Sequence, residues 1–200
     1  MYLTHISECC PHGASITNRH NLVARRIGQL WKWTGRQVIY EKAGIIPGQR
    51  PADVWVAQVG NPAKDLAIDV TVIATATTLR LQRSQRVGFD ATISSGKVLQ
   101  GEEQSKLTKY SDTFGPAGNS NSVTRYIPAA WSTCGGRGTL TKLMVTDLAS
   151  NLAQAWTYTK NECVDLIYGQ VTSIIVNHVG MALYRAISRE QGLVRRRDMR

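Results

Sequence analysis

Ala52-Asp53-Val54-Trp55-Val56-Ala57-Gln58-Val59, the turn-forming Gly60-Asn61-Pro62, and Leu66-Ala67-Ile68-Asp69-Val70-Thr71-Val72-Ile73-Ala74 decide the fold of this chain. The first run alternates, with Val54, Val56 and Gln58 on one face and Asp53, Trp55 and Ala57 on the other. The second is the most β-prone stretch of the sequence. Two such runs around a Gly-Asn-Pro turn predict an antiparallel hairpin. A hairpin centred near residue 61 sets Asp53 opposite Asp69. An ionised Asp within an apolar strand is costly unless a cation or hydrogen bonds compensate it. The two carboxylates are therefore either a converging pair suited to a hard divalent cation, or a satisfied core Asp and a strand-start residue.

Working outward, Gln37–Glu41 is short and β-branched and reads as a preceding strand. Arg19–Trp33 carries Leu22, Ile27, Leu30 and Trp31 at mostly helical spacing, with Gly35 as its stop. Met1–Asn18 has no period and reads as an irregular loop. Gly101–Phe114 predicts a helix on which Glu103, Lys106 and Tyr110 share a face and Lys109 points elsewhere. Thr124–Thr133 predicts a strand and Gly135-Gly136-Arg137-Gly138 a tight turn. Thr139–Trp156 is an amphipathic helix with Leu140, Met144, Leu148, Leu152 and Trp156 at steps of four. A last helix spans about Cys163–Ser188 and leads to Arg195-Arg196-Arg197, while Thr75–Leu99 carries no clear signal. The order predicts an α/β protein: helix, three strands, helix, strand, and two C-terminal helices.

Composition narrows the partners. The chain has 200 residues, 42% of them hydrophobic, enough for a core, and a net charge of +10. That charge points to a polyanion and away from a small cationic substrate. Arg19, Arg25, Arg26, Lys32, Arg36, Lys42 and Arg50 against Glu41 make the first quarter cationic, and such clusters contact phosphates. Arg137 in its glycine turn is a further candidate, through backbone N–H groups ahead of a helix. Trp31, Trp33 and Trp55 are candidate base-stacking residues, with core packing the default. The N-terminus lacks a signal-peptide pattern, and four cysteines make no disulfide framework, so the expected location is intracellular. Leu166–Tyr184 is uncharged but rich in polar residues and glycine, and reads as a buried or dimer-forming helix rather than a membrane span. His5, Cys9, His12 and His20 could together bind a structural Zn²⁺, although their spacing matches no common finger. Cys134 and Cys163 read as buried small hydrophobes.

Taken together, these elements resemble the core of restriction-endonuclease-like nucleases, the PD-(D/E)xK fold. The similarity is to the branch found downstream of the reverse transcriptase in non-LTR retrotransposon-type proteins. It rests on Arg19-His20-Asn21, Arg50-Pro51-Ala52-Asp53, Asp69-Val70-Thr71-Val72, the Glu103-Gln104-x-Lys106-x-x-x-Tyr110 helix and the Ser132–Gly138 turn, and runs from about residue 5 to 190. The resemblance implies an irregular segment at 1–18, a nuclease-like domain at 19–160, and a C-terminal helix with basic tail at 161–200. It implies a metal-dependent endonuclease acting on DNA, with Asp53 and Asp69 holding Mg²⁺ or Mn²⁺. Lys106 then acts from the helix, and Glu103 is an extra ligand or orients Lys106; Glu41 is another candidate acid. The sequence departs from the family at Thr71, where the fold usually places its lysine. The departure leaves open a non-catalytic domain binding DNA or RNA. A structural, oligomerising protein using its uncharged last helix is a third reading.

Overall fold

The computed structural model describes residues 13–42, 51–60, 63–73, 95–115 and 123–197, with side chains omitted at 13–16, 95, 182–183 and 185–197. In chain order it comprises α1 (Gly13–Trp33), β1 (Val38–Tyr40), β2 (Val54–Val59), β3 (Lys64–Ile73), α2 (Ser95–Lys109), α3 (Ser111–Phe114), β4 (Thr124–Ser132), α4 (Thr139–Ala155) and α5 (Lys160–Arg197). The strands form one sheet in the order β1-β2-β3-β4. The first three are antiparallel, and β4 runs parallel to β3 after the helical crossover. A mixed α/β protein with a hairpin and a crossover strand is what the sequence order requires, since a parallel neighbour needs a long connection.

The sheet has two apolar faces because its central strands are buried on both sides. Val54, Val56, Leu66, Ile68 and Val70 join Val23, Ile27, Leu30 and Trp31 of α1, Met144, Leu148 and Leu152 of α4, and Ile167, Val171 and Ile175 of α5 in the main core. The opposite face is smaller: Trp55, Ala67 and Tyr126 pack against Leu107, Tyr110 and Phe114. Asp53 and Asp69 have the parity of Trp55 and Ala67, so they belong to the face that α2 covers.

Several local expectations are corrected. α1 begins at Gly13 rather than Arg19. Thr17 and Asn18 are exposed, so they mark no buried face in the sequence. Residues 1–12 lie outside the described residues, and so does most of the unassigned 75–99 stretch. A bulge between Val56 and Val59 shifts the β2 register. Gln58 takes a left-handed φ of 55° and is exposed, and Val59 fills the buried position instead. Cys163 is buried as expected, but Cys134 is exposed. The last helix starts at Lys160 and continues to Arg197. Gly35, with φ 79°, ends α1 where expected. Among the described residues, no helix is long and apolar enough to cross a membrane.

Candidate functional site: a cluster of two aspartates, a lysine and a histidine

The register of the hairpin is set by Val54 opposite Ile68 and Trp55 opposite Ala67. Asp53 immediately precedes this paired stretch, close enough for its charge to act on the Asp69 carboxyl. Its backbone N–H donates to the Ile68 carbonyl at 2.9 Å, and its Oδ2 accepts from the Val70 N–H at 2.6 Å. The bulge contributes to this placement: the Val59–Lys64 pair next to the turn extrapolates to Asp53 beside Val70, and the one-residue shift between Val56 and Val59 moves the outer register to Asp69.

Lys106 reaches this pair from α2. The helix lays Leu99, Glu103, Leu107 and Tyr110 on the sheet, a stripe of threes and fours. Lys106, at its edge, puts Nζ 2.9 Å from Oδ2 and 3.3 Å from Oδ1 of Asp69. Tyr126 of β4 donates its hydroxyl to the same Oδ2 at 2.8 Å. Burial pushes the Asp69 carboxyl above its ordinary value, opposed by the Lys106 charge and hydrogen bond; Asp53 adds to the upward push. Burial would lower Lys106, but the Asp69 carboxylate outweighs it and holds the amine above its ordinary value. Lys106 is accordingly an ammonium at neutral pH. The Tyr126 hydroxyl is raised by burial and by Asp69, and stays protonated.

His20 of α1 closes the other side. Its Nε2 lies 2.9 Å from the Val70 carbonyl oxygen and 3.2 Å from Asp53 Oδ2, and its Nδ1 3.1 Å from Asn21 Oδ1. The hydrogen bond to Asp53 is the main cause that lifts its pKa from 6.5 to about 9, against burial. The imidazole is thus a cation, and Arg19-His20-Asn21 contributes its histidine, a candidate zinc ligand in the sequence, and its asparagine to the cluster. Tyr126 was missed altogether, and a tyrosine in an apolar strand gives no signal that would single it out.

Glu103 is not a free acid. It is 2% exposed, and its carboxylate accepts from the backbone N–H of Leu140 and Thr141 and from the Thr141 hydroxyl, at 2.9–3.0 Å. It therefore caps the N-terminus of α4, a role for which Asp and Glu suit the positive end of a helix. A metal-ligand role for Glu103 would require breaking all three bonds. Glu41 is exposed and lines a groove of about 600 Å³ with His20, Arg25, Lys32, Tyr40 and Asp53.

The basic residues divide. Arg25 is exposed and Arg26 half-buried. Arg19 is 5% exposed, which takes it out of reach of a phosphate on the surface. Arg137 stacks 3.4 Å over the Tyr168 ring. The N–H groups of its turn are spent internally, from Gly135 to Ser132 O, Gly136 to Ser132 Oγ and Gly138 to Ala130 O. With Glu103 already at the helix N-terminus, this turn offers no phosphate cradle. Arg50, His5, Cys9 and His12 lie outside the described residues. His20 has both ring nitrogens engaged, as above, and so holds no free lone pair for zinc.

Among the described residues, no group of three or more His, Cys, Asp and Glu side chains is placed to hold a metal ion. The nearest donor set is hard: the Asp53 and Asp69 carboxylates and the Val70 carbonyl. Two of its oxygens already converge on one atom, His20 Nε2. Such oxygens fit Mg²⁺ or Mn²⁺, which keep several waters and need one or two carboxylates. Compared with known proteins, the chain matches no family model and no curated protein.

Proposed function

We propose that this protein is a metal-dependent endonuclease that hydrolyses DNA phosphodiester bonds at Asp53, Asp69 and Lys106, on a restriction-endonuclease-like core of mobile-element type. One observation carries the reading: an ammonium from a separate helix lies 2.9 Å from a buried Asp, and a second Asp immediately precedes the neighbouring strand. Lys106 would thereby supply from the helix the ammonium that Thr71 does not. Asp53 and Asp69 would hold Mg²⁺ or Mn²⁺, which neutralises phosphate charge and lowers the pKa of a bound water. Lys106 brings positive charge to the phosphate oxygens, Tyr126 fixes the Asp69 rotamer, and His20 fixes Asp53. The groove between α1 and β1 runs up to Asp53 with Arg25 and Lys32 on its wall, which suits a phosphate backbone. The test is nicking of supercoiled plasmid with Mg²⁺ or Mn²⁺. Wild-type protein nicks, and Asp69→Ala abolishes it. Plasmid left intact with every metal refutes the reading.

A second reading, a domain of the same fold that binds without cutting, is favoured by a different fact. Both carboxylates already have cations of the chain itself, Lys106 and His20. Intact plasmid together with a salt-dependent gel shift selects it.

A further inference from the structure

The tryptophans divide in a way that the carboxylate cluster does not explain. Of the five in the chain, Trp31, Trp55 and Trp131 are buried in the two cores. Trp33, the last residue of α1, is 37% exposed, and Tyr158, just beyond α4, is 53% exposed. Between them sits half-buried Trp156, whose ring centroid is 5.4 Å from that of Trp33 and 5.8 Å from that of Tyr158. Trp156 therefore joins the end of α1 to the junction of α4 and α5, with Trp33 tilted 35° and Tyr158 edge-on at 61° to its ring. Packing explains the middle ring, which rests on the main core. It does not explain why the outer two keep 37% and 53% of their surface in water.

The surroundings are polar and basic. A pocket of about 290 Å³ opens beside these rings, lined by Thr34, Gly35, Arg36, Asn151, Gln154 and Ala155. Lys160 is exposed at the start of α5, whereas Arg36 donates to the Gln58 carbonyl and to Asn151 Oδ1. The adjacent acid, Glu162, is turned onto Thr159, accepting from its backbone N–H and its hydroxyl at 2.8 Å in a capping box. His20 lies thirteen residues up α1, roughly 20 Å away at the helical rise, so the three rings are separate from the cluster.

We propose that Trp33, Trp156 and Tyr158 form a stacking platform for the unpaired bases of a single-stranded nucleic acid, with Lys160 meeting its phosphates. Paired bases bury their faces in the duplex, whereas every unpaired base offers one, so such a platform selects strandedness and not sequence. The proposal rests on the preceding reading only in taking a nucleic acid as partner.

The test uses the full chain with a short oligothymidylate, at low salt and with metal chelated, reading tryptophan emission. Because three of the five tryptophans are buried, quenching by the oligonucleotide reports Trp33 and Trp156. Saturable quenching is expected, with a duplex of equal length competing poorly. Trp33→Ala should weaken binding about 5- to 150-fold, the equivalent of one lost base stack. Tyr158→Ala, whose ring is mostly in solvent, should do the same without touching the core. Tyr184→Ala, an exposed aromatic far along α5, should bind as wild type. Unchanged emission at saturating oligonucleotide overturns the proposal, as do wild-type affinities for both Trp33→Ala and Tyr158→Ala. Emission that changes with protein concentration alone also overturns it and assigns the three rings to self-association. Nicking without quenching removes the platform and spares the nuclease reading; quenching without nicking does the reverse.

Discussion

Asp69 is 7% exposed and would be expensive to ionise alone, so its environment is where single substitutions should bite. Lys106→Ala removes its cation and should cost about 1–3 kcal/mol in urea unfolding, because a buried acceptor is left without its charged donor. Tyr126→Phe removes one hydrogen bond and should cost about 1 kcal/mol. His20 gives a pH signature of definite sign. Its pKa is raised from 6.5 to about 9, so its pairing with Asp53 stabilises the fold fully below pH 6.5 and is lost as pH rises through 9. Wild-type protein should therefore lose melting temperature relative to His20→Gln across that window. The His20 ring protons should titrate near pH 9 by NMR, and Asp53→Asn should lower that midpoint. An unshifted midpoint would mean that the imidazole does not hold Asp53.

Between elements, the decisive contact is Glu103, on the turn of α2 before Lys106, capping α4. The capping fixes how α2 is rotated over the sheet, and so where Lys106 points. Gly138 is required beside it, since a Cβ there would collide with the Glu103 carboxylate. Glu103→Ala should cost about 2–3 kcal/mol through two unsatisfied backbone donors and the Thr141 hydroxyl. Gly138→Ala should cost a similar amount. The double variant should fall well short of the sum, because the two act on one contact; additive losses would show that Gly138 serves another purpose. The bulge offers the opposite effect. Gln58 holds φ 55° in the open, and Gln58→Gly should leave stability unchanged or raise it by up to about 1 kcal/mol. The sequence pointed to this strand pair and offered its two aspartates as a converging pair. It did not show the bulge, since a left-handed residue at an exposed site leaves no trace in hydrophobic pattern. Nor did it distinguish Glu103 as a cap from Glu103 as a ligand: both need a carboxylate on that face, and the partner lies 37 residues away at Leu140.

At the scale of the whole molecule, the net charge of +10 makes nucleic-acid affinity an electrostatic quantity. Log affinity should fall linearly with log salt concentration, measured by gel shift with metal chelated. A salt-independent affinity would remove the polyanion from consideration. The charge is not evenly useful, because Arg19 and Arg137 are drawn inward by burial and by Tyr168, while Arg25 and Lys32 stay on the groove. Counting basic residues therefore overstated the interface. Long stems let arginine pack as well as carry charge, and only tertiary contacts decide which it does.

What the sequence determined by itself is what short-range pattern encodes. The alternating and apolar strands, the four-step stripe of α4 and the turn chemistry at Gly60 and Gly35 dictated an α/β order. They also brought Asp53 and Asp69 to neighbouring positions of one hairpin, while the bulge between Val56 and Val59 set the final register. The tertiary structure alone decided the rest: that Lys106 falls on Asp69, that His20 becomes a cation between Asp53 and the Val70 carbonyl, that Tyr126 completes the site, and that Trp33 stays partly exposed while Trp31 is fully buried. These outcomes join residues dozens of positions apart, and they depend on how helices rotate and slide over a sheet. That is settled by packing summed over the entire core, not by any local run of residues.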